Sequence, residues 1–133
     1  MISCSKATAW KWFSLYIRLR DASLDGYVRC CTCSSIKHFK QIQAGHYYSQ
    51  GAYRRLIFEE KNCHPQCVAC NHYKSGNLIK YSEFMAKKYG VEIFDWLKIK
   101  NTTNPRGYDF KSISDFYRHK SQELLIKINS DVL

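Results

Sequence analysis

The sequence predicts a mostly helical α+β fold, in which a small strand–strand–helix unit is held by a structural zinc ion and flanked by helices. Three observations carry that expectation. Cys30/Cys33 and Cys67/Cys70 form two CxxC pairs; each can chelate a metal from a tight turn, and together they supply the four sulfurs of a closed tetrahedral site. Apolar residues in the flanking segments recur at helical spacing. Between the pairs, short apolar runs separated by a Gly-containing loop read as a hairpin.

The chain has 133 residues, enough for one domain. It divides into an N-terminal helix and lead-in over 5–29, a zinc-knuckle core over 30–77 and C-terminal helices over 78–133. Hydrophobic residues make up 45% and aromatics 15%, which excludes a disordered tail. Lys and Arg number 21 against 11 Asp and Glu, a formal net charge of +10, and a small domain this basic suits a polyanion such as nucleic acid. No apolar run approaches the ~18 residues of a membrane span. Lys6 and Lys11 interrupt the N-terminus, so no secretory signal is expected there. A reducing cytoplasm follows, in which paired CxxC motifs mean metal before disulfide. Cys4, Cys31 and Cys63 are left over as free thiols, with Cys31 or Cys63 able to replace a neighbouring ligand.

In order along the chain, residues 5–24 read as a helix. Ser5 is its N-cap, Asp25-Gly26 its stop, and Trp10, Phe13, Ile17 and Leu24 lie on one face. Ile36 to Tyr48 reads as extended, with Gly45 marking a kink or bulge before His46. After a loop at Ser49-Gln50-Gly51, Tyr53 to Phe58 reads as the second strand. Glu59–Asn62 is a turn, and Val68–Lys74 a short helix ended by Ser75-Gly76-Asn77. Leu78–Tyr89, capped by Gly90, and Val91–Lys100 are helical, and Asn101–Gly107 is a loop. Ser112–Asn129 forms a last helix whose stripe Ile113, Phe116, Tyr117, Leu124 and Ile128 can pack on the first helix or pair with a second copy.

The chemistry must come from groups between the knuckles, because four sulfurs leave a zinc ion no open position for water. A strand–strand–helix unit brings the end of its first strand beside its helix. His46 and Asn71 then face one pocket, with His64 arriving from the intervening loop. Phosphodiester hydrolysis needs a base for water and a cation for the phosphate. A neutral imidazole suits the first task, and an asparagine oxygen suits Mg²⁺ or Mn²⁺.

The string Ala44-Gly45-His46-Tyr47, then Asn62-Cys63-His64-Pro65-Gln66-Cys67-Val68-Ala69-Cys70-Asn71, then Ser75-Gly76-Asn77-Leu78 resembles the HNH, or ββα-metal, endonucleases. It resembles in particular the phage NinG/Rap recombination proteins. Tyr16-Ile17-Arg18-Leu19-Arg20-Asp21 and Gly26-Tyr27-Val28-Arg29-Cys30 resemble that family too. The resemblance implies a structure-specific DNA endonuclease acting on branched intermediates such as Holliday junctions. By it, His46 matches the general base and Asn71 a ligand of the catalytic Mg²⁺ or Mn²⁺. Asn62 matches the central Asn of the catalytic set, which mainly ties the loop to the hairpin. Cys30, Cys33, Cys67 and Cys70 match the zinc knuckles, and His64 a second metal ligand or phosphate contact.

The chain departs from the family pattern at three positions. Gly45 stands where many HNH enzymes carry Asp, Gln43 where related sequences carry Asp or His, and Ile57 where Arg is common. Gln43, Glu59, Glu60 and His64 are therefore the candidates for a second catalytic-metal ligand. Lys37, Lys40, Arg54, Arg55 and Lys74 are expected to grip DNA phosphates. The remaining expectations are a homodimer and action in the cytoplasm of a bacterial host; the alternative function is a non-catalytic, zinc-stabilised DNA-binding accessory protein.

Overall fold

The computed structural model describes residues 4–132, with side chains to Ile128. It begins as expected: Ser5 caps helix α1, Lys6–Arg20, its hydroxyl accepting the Thr8 N–H at 3.2 Å. Ala9, Phe13 and Ile17 form the buried face of α1. The helix stops short of Leu24, which is 52% exposed. The Ser23 N–H bonds to the Tyr27 carbonyl, and the Asp25 carboxylate accepts the Tyr27 N–H. Together these fold residues 23–27 into a turn before another helical turn can form.

Tyr27–Arg29, expected only as a lead-in, is strand β1, paired antiparallel with β2, Ile36–His38. The first cysteine knuckle is the loop between them. The stretch expected to be extended over 36–48 is broken by a 3₁₀ turn at Phe39–Gln41, started by His38, whose ring accepts the Lys40 N–H. Strand β3 follows, Gln43–His46.

The partner of β3 is not Tyr53–Phe58, which contributes a single 3₁₀ turn at Arg54–Leu56. It is β4, Cys63–Gln66, in a register that sets Gln43 opposite Gln66, Gly45 opposite His64 and His46 opposite Cys63. The pairing runs on without a break at Gly45, so no bulge lies there. Cys-His-Pro-Gln looks like a turn by composition, yet all four residues are buried. Cys63 packs toward Phe13 and Ile17 of α1. His64 faces the other way, against Tyr81 and Tyr89.

Asn62 explains why Tyr53–Phe58 cannot be the strand. Its side chain is wholly buried; Oδ1 accepts the Tyr48 N–H at 2.9 Å, and Nδ2 donates to the carbonyls of Tyr48 and Leu56 at 3.0 and 3.4 Å. One amide thus ties off the backbone on both limbs of the 48–62 loop, and the Leu56 side chain turns into the core with Tyr81, Met85 and Leu97.

After β4 the chain makes a π-helical turn over Ala69–Tyr73. Three successive left-handed residues, Ser75, Gly76 and Asn77, then reverse it. Helix α2, Leu78–Tyr89, ends at Gly90 as expected, and α3 runs over Glu92–Thr103, a few residues longer than expected. The last helix, α4, spans Phe110–Val132. Its stripe packs on α1: Tyr117 meets Phe13 edge-on at 4.9 Å, and Tyr117 and Ile128 are buried. Phe116 is left 51% exposed. The architecture is a mostly helical α+β fold with two small sheets. Among the described residues, no helix is long and apolar enough to cross a membrane.

Replacing Asn62 with Ala strips three side-chain hydrogen bonds from backbone, one at the buried Leu56 carbonyl and two at half-buried Tyr48. The cost should be about 2–4 kcal/mol, since each buried group left unpaired costs roughly 1–3 kcal/mol. Urea unfolding of Asn62→Ala against the parent tests this; a change under about 0.5 kcal/mol would remove Asn62 from the structural role assigned to it.

Candidate functional site

Two neighbouring centres form around β3, β4 and the π-turn. In the first, the sulfurs of Cys30, Cys33, Cys67 and Cys70 all lie within 4.8 Å of one another. Cys33 and Cys67 approach to 3.7 Å, close to the edge of about 3.8 Å that a tetrahedron with ~2.3 Å Zn–S bonds requires. Donors surround the sulfurs, although burial pushes the Cys67 thiol up to about 11. The Cys67 N–H points at Cys30 Sγ at 3.3 Å, the Cys70 N–H at Cys67 Sγ at 3.5 Å, and the Asn77 amide at Cys70 Sγ at 3.6 Å. The Ser35 hydroxyl, 3.1 Å from Cys33 Sγ, draws that thiol down to about 6. The four cysteines can therefore hold a zinc ion. Cys31 and Cys63 stay outside the cluster, and burial pushes both thiols far up, so they remain protonated.

The second centre is an open cleft of about 620 Å³ whose wall includes Trp10, Arg18, Gln43, His46, Gln50 and Asn71. His46 reaches it from the end of β3. Its Nε2 lies 2.8 Å from the Ile57 carbonyl oxygen, and Gln50 Nε2 lies 3.4 Å from its Nδ1. A carbonyl can only accept, so the proton sits on Nε2, and Nδ1 keeps its lone pair. Trp10 stacks on the ring at 5.0 Å. Burial lowers the imidazole pKa below its ordinary value, and the charge of Lys6 acts in the same direction, so the ring is neutral near pH 7.

Asn71 comes from the π-turn and donates from Nδ2 to Gln43 Oε1 at 2.8 Å, which leaves its own Oδ1 turned toward Gly45. A Cβ on Gly45 would stand 3.1 Å from Asn71 Oδ1 and only 2.1 Å from Gln66 Oε1. The space a side chain at 45 would need is already filled by Gln66. That glutamine is wholly buried, donates to the Gly76 carbonyl and to Thr32 Oγ1 at 3.2 Å, and its Oε1 has no hydrogen-bond partner. Gly76 O is an acceptor only, which fixes the amide's orientation.

The remaining candidates fall elsewhere. His64 is in the core. Tyr81 donates to the Gly45 carbonyl at 2.7 Å and so accepts from His64 Nδ1 at 3.0 Å, while the Tyr89 hydroxyl sits 2.7 Å from Nε2. Both ring nitrogens are used, and burial holds the ring neutral, its pKa pushed down to about 2. The expectation of His64 as a metal or phosphate ligand is therefore corrected. Asn62 braces backbone away from the cleft. Glu60 accepts from Tyr16 at 3.3 Å and Tyr117 at 2.9 Å, and Glu59 from Asn104 at 3.4 Å. Both line a different cleft with Arg20 and Tyr89. Of the four candidate second ligands, Gln43 alone stands beside Asn71.

Among the expected phosphate contacts, Lys37, Lys40, Arg54 and Lys74 are exposed, and none of them lines the cleft. Arg55 is engaged instead with the last carbonyls of α3, Asn101 and Thr102. The basic side chain in the cleft wall is Arg18, whose place on α1 carries no sequence signal that distinguishes it from a surface charge. Trp10 is expected only as part of the packing face of the first helix, and Gln50 and Gln66, neutral amides in a loop and in β4, carry no sequence signal of a place at the cleft.

A family model described as Bacteriophage Lambda NinG protein matches residues 3–126. Protein ninG of Escherichia phage lambda is 35% identical over 112 residues, covering 82% of this chain and 52% of that protein. Protein ninG of Salmonella phage P22 is 33% identical over 110 residues with the same coverage. That of Enterobacteria phage H19B is 40% identical over 80 residues, covering 60% of this chain and 37% of that protein. The chain thus spans about half the length of the phage lambda and P22 relatives. No solved structure matches it.

Purified, reduced protein should hold one zinc per chain by elemental analysis. Cys67→Ser or Cys30→Ser should lose the metal together with the cooperative unfolding of the β3–β4 region, since binding to such a site is folding free energy. Folded protein free of zinc would overturn the assignment.

Proposed function

Because the chain belongs to the NinG family, we propose that it is a metal-dependent DNA endonuclease of the HNH, ββα-metal type, acting on branched DNA such as Holliday junctions in a bacterial host's cytoplasm. The observation that supports this best is the pairing of His46 and Asn71 in one cleft, His46 with its Nδ1 lone pair selected by the Ile57 carbonyl. The order β3, β4, π-turn, with two 3₁₀ turns between the strands, supports this reading in its sequence of elements.

In this reading His46 Nδ1 takes the proton from the attacking water. The Nε2–H bond to Ile57 holds the ring's tautomer, and the Trp10 stack holds its plane. Asn71 Oδ1 and Gln43 Oε1 are the groups that would hold a divalent cation. Oxygen donors suit Mg²⁺ or Mn²⁺, which when bound supplies Lewis-acid stabilisation of the charge on the phosphate. Arg18, its guanidinium held in the wall by the Ser14 and Phe39 carbonyls at 3.1 and 2.8 Å, adds positive potential to the cleft, and Lys37, Lys40, Arg54 and Lys74 extend the basic surface along the duplex. Symmetric cutting of a junction needs two sites about a twofold axis, and exposed Phe116 is what remains of the α4 stripe for a second copy.

One observation favours the non-catalytic DNA-binding alternative: among the described residues the cleft wall carries no Asp or Glu. Incubating the protein with four-way junction, flap and linear duplex side by side, with Mg²⁺ or Mn²⁺, separates the two. Failure to cut any of them would leave the alternative.

His46→Ala should lower the cleavage rate by ~10²–10⁴-fold, with zinc content and junction affinity near the parent's, and added metal should not rescue it. Asn71→Ala should recover partly at high Mg²⁺. A His46→Ala protein cutting at the parent rate would remove the imidazole from the reaction.

The neutral ring is the active form and its pKa is lowered. The rate should therefore stay level through neutral pH and fall only with a midpoint below the ordinary imidazole value of about 6.5. A midpoint above that value in a pH–rate profile would contradict the assigned base.

A further inference from the structure

The donor set in the cleft has no charge of its own. Gln43 Oε1 and Asn71 Oδ1 are neutral amide oxygens. The nearby charges are positive: Arg18 lines the wall, and Lys6 acts on His46. The carboxylates on either side in the chain are committed elsewhere, Glu59 to Asn104, Glu60 to Tyr16 and Tyr117, Asp25 to Ser23 and the Tyr27 N–H, and Asp21 to Arg20. Nor can position 45 supply one, because Gln66 fills the space beside Asn71 Oδ1. Hard divalent cations that keep most of their water are usually held by one or two carboxylates together with substrate phosphates. Here the carboxylate share is missing.

Resting on the reading of this cleft as a nuclease site, we infer that a divalent cation occupies it only together with a DNA phosphate, which provides the negative charge the protein withholds. Metal and DNA are then cooperative ligands of one cleft, and coupling is reciprocal: the factor by which DNA tightens the metal is the factor by which the metal tightens DNA. The free protein carries its structural zinc and leaves the second site to its substrate.

The sign of the effect separates this from ordinary ion competition, because added divalent salt by itself weakens binding to the DNA backbone. The test uses the zinc-loaded chain. Mn²⁺ uptake is followed by electron paramagnetic resonance with and without junction DNA, and a DNA-only control is subtracted. Junction affinity is measured by fluorescence anisotropy on the cleavage-silenced His46→Ala protein, with and without Mn²⁺ at matched ionic strength. Mn²⁺ uptake and junction affinity should each tighten about tenfold or more in the presence of the other. Gln43→Glu adds one charge at an exposed position of the same size and should let the DNA-free protein take up Mn²⁺; Asn71→Ala should abolish the coupling.

Equal Mn²⁺ affinity with and without DNA would overturn the inference, as would junction affinity unchanged or weakened by Mn²⁺. If the parent cuts DNA while Mn²⁺ fills the cleft without it, the inference falls and the nuclease reading stands. If the coupling appears but no DNA is cut, the cleft is a cation-bridged DNA-binding site and the nuclease reading falls alone.

Discussion

The convergence of four cysteine sulfurs is the constraint on which the rest of the centre depends. Cys30 and Cys33 sit in the β1–β2 loop, Cys67 and Cys70 at the join of β4 and the π-turn. Bringing the two segments together closes a long loop, whose entropy cost grows only slowly with length. What it secures is local and exact in register: β4 is drawn between α1 and α2, with Cys31 N–H bonded to the Pro65 carbonyl at 2.9 Å. Once β4 is placed, β3 has one partner, and His46 and Asn71 fall on the same cleft. Two-stranded hairpins of this size do not stand alone in water, so the sulfur cluster and the helices supply what the strands lack.

The helices were legible because their signals are periodic and local. Ser5, Gly90 and the apolar stripes placed α1, α2 and α4 to within a few residues. The second strand was not, because composition pointed the wrong way. Tyr53–Phe58 is rich in β-prone aromatic and branched residues, and Cys63–Gln66 contains a proline and two polar side chains. The arbitrating residue was Asn62, whose buried amide closes the loop in a way that only tertiary contacts reveal.

The candidate site divides along the same line. Family-like motif positions point to His46, Asn71 and the four cysteines as the candidates, and the last four do converge. They could not identify groups that act through backbone or packing. The atom that selects the His46 tautomer is a carbonyl oxygen of Ile57, which any residue at that position would offer. His64 shares the motif, but the strand alternation that brings His46 to the cleft turns His64 to the core. Gln66 lies inside the family-like string but matches no catalytic or metal-binding role there, yet it decides what position 45 can be.

That last relation has an evolutionary reading. Gly45 and Gln66 stand on facing strands and compete for one volume, so an acidic side chain at 45 and a long amide at 66 exclude each other. A descendant could gain a carboxylate at 45 only after residue 66 had shrunk, and shrinking it first would release the Gly76 carbonyl and Thr32 from their anchor. Each single step loses packing or hydrogen bonds before the pair together could gain anything. The two positions are thereby coupled: a substitution at 45 is accommodated only with a matching change at 66.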